Sequence, residues 1–171
     1  LPQGTAVTRH ASGPPPGLQA EALYLHPDGQ LWDFTSSVPD RAARSASAYT
    51  YDPTTKRRKT LDAGREEAWG PHPDYRWDPL AEGNSSSFVT APFTDTVAYA
   101  GQGSVDLWIR SSATDTDIEA TLTEVRPDGQ EVFIQSGWLR ASHRQLDPAR
   151  STELVPFHTH QAEDAEPLPA G

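Results

Sequence analysis

Val105, Leu107 and Ile109 alternate with Asp106, Trp108 and Arg110. A period of two sorts apolar from polar side chains only on an extended strand, so this run predicts a half-buried strand over residues 105–111. Ile118, Ala120 and Leu122 carry the alternation into a second strand. Val125 falls out of phase with them, which predicts a bulge or a change of face near Thr123 and Glu124. Pro127-Asp128-Gly129-Gln130 then separates residues 118–125 from 132–134. Asp-Gly between two apolar runs signals a hairpin, because glycine accepts the positive φ that the turn requires. Pro27-Asp28-Gly29-Gln30 repeats the device between residues 20–25 and 31–35. These are two solutions to one geometric problem. Shorter strands are expected at residues 46–51, 88–90 and 97–100, with a weak one at 153–157. No segment holds a long helical period, so short strands and turns predict an all-β fold, a sandwich or a barrel.

The rest of the chain is punctuation. Residues 1–18 are rich in Gly, Pro and small polar types, and Pro14-Pro15-Pro16 holds an extended backbone, so this stretch reads as a linker. Residues 19–171 then form a single domain, interrupted by a long loop at about 52–83 with a short helix near 62–68. The 16 prolines fit many short strands joined by ordered turns. The formal charge of −10 argues against nucleic acid, whose binding rests on neutralised phosphates. With no cysteine there is neither a disulfide frame nor a thiolate metal site. No apolar run approaches the length of a membrane span, and no membrane partner is expected. The chain opens on Leu1 and holds no methionine, which predicts that it is cut from something larger.

Five groups could carry chemistry or binding. A serine hydrolase needs G-x-S-x-G at a sharp strand-to-helix turn. Gly83-Asn84-Ser85-Ser86-Ser87 comes nearest, but it lacks the second glycine and precedes a strand. His158-Thr159-His160 would put two imidazoles on one face if extended, and with His143, Glu163 or Asp164 could begin a zinc or copper site. The alternative is histidines packed or hydrogen-bonded along a sheet edge. Asp115, Asp117 and Glu119 share one side of a strand and could bind calcium, or form a solvated face opposite Ile118 and Ala120. Lys56-Arg57-Arg58-Lys59 is either a solvated loop or a dock for an acidic surface. Trp69, Tyr75 and Trp77 fall in the long loop, where they could close an open sandwich end, anchor another domain or stack a sugar. No catalytic constellation, no complete metal set and no cofactor is expected.

The run SVDLWIRSSATDTDIEATLTEVRPDGQEVFIQSGWLRASHR, residues 104–144, and the tail Pro156-Phe157-His158-Thr159-His160 resemble the C-terminal β-sandwich of the cocaine esterase/X-prolyl dipeptidyl-peptidase family of serine hydrolases, the CocE/NonD type. Tyr49-Thr50-Tyr51-Asp52-Pro53 is similar to that family's Tyr-x-Tyr-Asp-Pro element. The resemblance implies an antiparallel, jelly-roll-like β-sandwich of the galactose-binding-like kind, with Val105, Leu107, Ile109, Ile118, Leu122, Val132 and Ile134 buried. It also implies a non-catalytic role: the domain packs on an α/β-hydrolase domain of the same protein and shapes its pocket, while the serine, histidine and aspartate of catalysis lie on that other domain. The alternative is a carbohydrate- or partner-binding sandwich that uses Trp69 and Trp77. After Pro53 this chain departs from the family's Pro-Val-Pro-Thr-Gly-Gly type of segment, which leaves the parent's substrate open between peptide and ester. In relatives, strands follow the segment that resembles residues 168–171. The chain is therefore expected to lack its last strands, and its open edge to favour self-association.

Overall fold

A computed structural model describes residues 17–26, 28–33, 46–54 and 83–169. These residues form strands and two 3-10 turns, with no α-helix among them. The fold is all-β. One sheet holds β1 (Leu23–Leu25), β2 (Gln30–Asp33) and β3 (Val89–Thr90) in the order β1-β2-β3. β1 and β2 pair antiparallel, whereas β2 and β3 pair parallel. The second sheet is the antiparallel hairpin of β4 (Asp117–Val125) and β5 (Glu131–Arg140).

One set of bonds closes both hairpins. Arg126 N donates to Gln130 O (2.8 Å), Gly129 N to Arg126 O (2.8 Å), and Gln130 N to the Asp128 carboxylate (3.1 Å). In the first hairpin His26 N donates to Gln30 O (2.8 Å), Gly29 N to His26 O (3.0 Å), and Gln30 N to the Asp28 carboxylate (3.1 Å). Gly29 and Gly129 both sit in the left-handed region, at φ 82° and 80°. This is the three-residue hairpin loop whose last residue must accept positive φ. In the first hairpin His26 Nδ1 also donates to Asp28 (2.7 Å) while its ring stacks on Trp32, centroids 4.5 Å apart. The imidazole bond is the main reason that the Asp28 carboxyl titrates below its usual range.

The irregularity expected near Thr123 and Glu124 lies in the facing strand, β5. Leu122 pairs with Gln135 and Thr123 with Phe133, so Ile134 is the extra residue of a bulge at that step. On one face lie Asp117/Arg140, Glu119/Trp138, Thr121/Ser136 and Thr123/Phe133. The hydroxyls of Thr121 and Ser136 share a hydrogen bond (2.8 Å), and Thr123 Oγ1 donates to Glu131 (2.8 Å). The other face carries Ile118/Leu139, Ala120/Gly137 and Glu124/Val132, with Leu122 beside Gln135.

Several expectations need correction. Residues 46–51, 97–100, 105–111 and 153–157 form no strands, because no neighbouring strand satisfies their backbone among the described residues. The anticipated core is not buried. Ile118 is half-buried, while Val105, Leu107, Ile109, Leu122 (57% exposed), Val132 and Ile134 are exposed. A sandwich buries such residues by laying a second sheet over the first, and no layer covers β4–β5 among the described residues. The helix near 62–68 and most of the loop at 52–83 lie outside the described residues, as does nearly all of the linker at 1–18.

The twin turns differ in surroundings. A Cβ on Gly29 would stand 3.3 Å from the Ser87 carbonyl oxygen, whereas one on Gly129 would meet nothing within 4 Å. Gly129→Ala should therefore cost only the left-handed penalty, about 1–2 kcal/mol. Gly29→Ala should cost more, because Val89 N also donates to Gly29 O (2.9 Å) and a shift there loosens β3. Urea midpoints of the two variants check the ranking, and equal losses would mean that the contact with Ser87 relaxes freely.

Candidate functional site

The densest set of interactions lies where β5 leaves the hairpin. Arg140 closes the last pair of the ladder, donating from Nε (2.8 Å) and Nη2 (3.0 Å) to the two oxygens of Asp117. Such a two-pronged contact fixes orientation as well as charge. The chain then turns through Ala141–His143 in a 3-10 turn, and Ala141 N donates back to Thr116 O (2.8 Å).

Asp115 holds that turn. Its Oδ1 accepts from the backbone N–H groups of Thr116 (2.9 Å) and Ser142 (2.9 Å), and its Oδ2 from the Ser142 hydroxyl (2.8 Å). The Ser142 hydroxyl is the first cause that lowers the Asp115 carboxyl below its ordinary value, with the two N–H groups and the Arg140 charge acting in the same direction. Asp117 is lowered by Arg140, and Arg140 is raised in return.

The tail is laced onto the same turn. Glu166 N donates to Ser142 O (2.9 Å), and Leu168 N to Thr114 O (2.7 Å). Arg144 donates to the carbonyls of Ala141 (3.2 Å) and Glu166, and its Nη2 to the Glu166 carboxylate (2.6 Å). Asp147 N donates to Phe157 O (2.8 Å), and Thr159 N to Gln145 O (3.1 Å), around the bridge between Leu146 and His158. Arg150 lies over the Phe157 ring, 3.3 Å from its centroid. Ala141, Ser142 and Leu168 are the buried residues among those described.

The candidate residues separate clearly. Asp115 and Asp117 come together, but around Arg140 and Ser142, and Glu119 stays exposed farther along β4. His158 and His160 do not lie on an extended strand, because His160 adopts a left-handed φ of 54°. The ring of His160 stands 5.9 Å from that of His158 and 6.3 Å from that of His143, centroid to centroid. His158 Nδ1 donates to Arg144 O (3.2 Å). Among the described residues no group of three or more His, Cys, Asp and Glu is placed to hold a metal ion. Gly83 to Ser87 lead into β3, as their order suggested, and no imidazole reaches a serine hydroxyl among the described residues. Lys56 to Lys59, Trp69, Tyr75 and Trp77 lie outside the described residues. Arg144, Ser142 and Glu166 were not singled out by pattern. The usable signal was an arginine that ends a strand paired with an acidic one, followed at once by a serine and a second arginine.

Asp115, Asp117, Arg140, Arg144 and Glu166 are each engaged by another part of the chain, so the arrangement ties segments together. The geometry defines an all-β domain in which a polar clasp holds the turn after β5 to the tail. Over residues 2–171 the chain matches the family described as the X-Pro dipeptidyl-peptidase C-terminal non-catalytic domain, and it belongs to that family. It is also similar to a cocaine esterase of Rhodococcus sp. (strain MB1 Bresler), 38% identical over 58 residues, which is 34% of this chain and 10% of that protein. No solved structure matches the chain. No helix among the described residues is long and apolar enough to cross a membrane.

Both aspartates are held charged more readily folded than unfolded. Their stabilisation is present in full above the ordinary value of 3.8 and is lost as pH falls through the lower folded value. The urea midpoint should therefore be level from neutrality to about pH 5 and fall below 3.8. Asp115→Asn should flatten that fall, and an unchanged acid limb in this variant would remove Asp115 from the account. Arg144→Ala should cost about 1–3 kcal/mol, since it strips two backbone carbonyls of their donor. Glu166→Ala, at an exposed ion pair, should cost less than about 1 kcal/mol. Chemical denaturation of the two variants gives the comparison, and equal costs would shift the weight from the carbonyl bonds to the ion pair.

Proposed function

We propose that residues 19–171 are a single β-sandwich domain of a CocE/NonD-type serine hydrolase, an X-Pro dipeptidyl-peptidase or an acyl-ester hydrolase, and that it packs on the α/β-hydrolase domain and shapes its pocket. The family match along nearly the whole chain carries this reading. The exposed aromatics support it. Trp138 stands 69% exposed on a face whose other polar groups bond to one another, and Trp108 is fully exposed. Large rings of this kind are the usual anchors of an interface, and a water-filled exterior gives no reason to retain them. The chemistry of the parent is attack of a serine on an ester or amide carbonyl, supplied by the other domain.

A carbohydrate-binding sandwich is the competing reading, resting on Trp69 and Trp77 of the sequence. Two measurements separate them. The chain alone should take no label from a fluorophosphonate serine probe, and it should bind an α/β-hydrolase domain of the X-Pro dipeptidyl-peptidase type. Trp138→Ala should weaken that binding at least tenfold, in the range of an interface hot spot. Stoichiometric serine labelling, or tryptophan quenching by simple glycans with no binding to the hydrolase domain, would reject the proposal.

A further inference from the structure

The face of β4–β5 that carries Trp138 is polar, and most of its polar groups are paired. Asp117 takes both prongs of Arg140, the Thr121 and Ser136 hydroxyls bond to each other, and Glu131 accepts from Thr123 Oγ1 at 2.8 Å. Glu119 is the exception. Its side chain is exposed and accepts one long bond, from Thr121 Oγ1 at 3.3 Å. No arginine among the described residues stands within ion-pair distance of it. Directly across the ladder from Glu119 stands Trp138, 69% exposed. We infer, resting on the docking reading above, that Glu119 and Trp138 together seat the guanidinium of an arginine on the α/β-hydrolase domain.

The pairing itself supplies the reason. Directly opposed residues of an antiparallel ladder hold their Cβ atoms about 4.5–5.5 Å apart, so the ring and the carboxylate share one patch of surface. The face of an indole is electron-rich, and a carboxylate beside it carries charge of the same sign. Within the chain the two gain little from each other, whereas a cation set over the ring is attracted by both. Arg140 is not that cation, since its Nε and Nη2 both go to Asp117. The shape of the pair selects arginine. A guanidinium is planar, stacks on a ring and presents parallel N–H donors to a carboxylate, whereas an ammonium presents a point charge. The charge of the whole chain acts in the same direction, because a balance of −10 attracts a basic partner surface before contact. Both residues lie within the paired stretch of the hairpin, so the seat is formed before the partner arrives.

The test is binding of this chain to an α/β-hydrolase domain of the X-Pro dipeptidyl-peptidase type, followed by calorimetry at low salt and at about 0.15 M. Glu119→Gln keeps the size of the side chain and an oxygen for Thr121, and removes the charge. It should weaken binding at least about fivefold and flatten the dependence on salt. Glu124→Gln, on the opposite face, should leave the affinity as it is. In the complex with the unaltered chain one arginine of the hydrolase domain should be shielded from phenylglyoxal, as read by mass spectrometry, and it should regain reactivity in the complex with Glu119→Gln. Equal binding by the unaltered chain and Glu119→Gln, or a complex in which no arginine is shielded, overturns the seat and leaves the docking reading standing. A loss in Glu119→Gln that Glu124→Gln matches reduces to net charge and also overturns the seat. If the unaltered chain does not bind the hydrolase domain, both readings fall.

Discussion

The Asp115 carboxylate is the constraint on which the turn after β5, and the tail laced to it, depend. It gathers three donors, two from the backbone and one from the Ser142 hydroxyl. Those bonds decide that the chain turns at Ala141 and does not continue β5. The turn then presents the carbonyls of Ala141 and Ser142 outward, and these are what Arg144 and Glu166 grasp. A tail with few apolar residues of its own is thereby held by polar bonds in place of a core. Ser142 is buried, yet its hydroxyl, N–H and carbonyl each have a partner, which is the condition for placing a polar residue there.

This economy suits a domain that performs no chemistry. A nucleophile is activated by a base within hydrogen-bond reach, and no imidazole reaches a serine hydroxyl among the described residues. Here the carboxylates and guanidiniums of the clasp are already engaged, and the imidazole of His158 donates to a backbone carbonyl. The described residues also leave large apolar and aromatic side chains exposed, Trp108 and Trp138 among them. The family is described as a C-terminal non-catalytic domain, and the rings of Trp108 and Trp138 stand exposed on this one.

The hairpins were legible in the sequence because their signals are local. Asp-Gly after proline named both turns, and the dephasing of Val125 marked the bulge to within a residue, although the extra residue belongs to the facing strand, as Ile134. The all-β class followed from the same punctuation. Residues 46–51 and 97–100 could not be judged this way, because alternation says that a segment can be a strand and says nothing of whether an edge is free to receive it. The clasp was hidden for a different reason. Asp115 and Ser142 are far apart in the chain, and an isolated serine after a strand has no pattern. The acidic alternation of Asp115, Asp117 and Glu119 was visible, but its partners were Arg140 and Ser142, which nothing in the spacing announces.

The shared closure of the two hairpins also sets how their arms can change in length. One bond set joins strands of 3 and 4 residues in one case and 9 and 10 in the other, so the loop fixes where pairing begins and leaves open where it stops. Counting outward from the loop, each added pair of residues preserves which side faces which, while a single addition inverts every side chain beyond it. Ile134 shows how an odd residue is accommodated: it is expelled as a bulge, and the sides beyond it come back into order. Length variation in these arms is thus governed by parity, with even changes silent and odd ones tolerated only where the ladder can discharge the remainder.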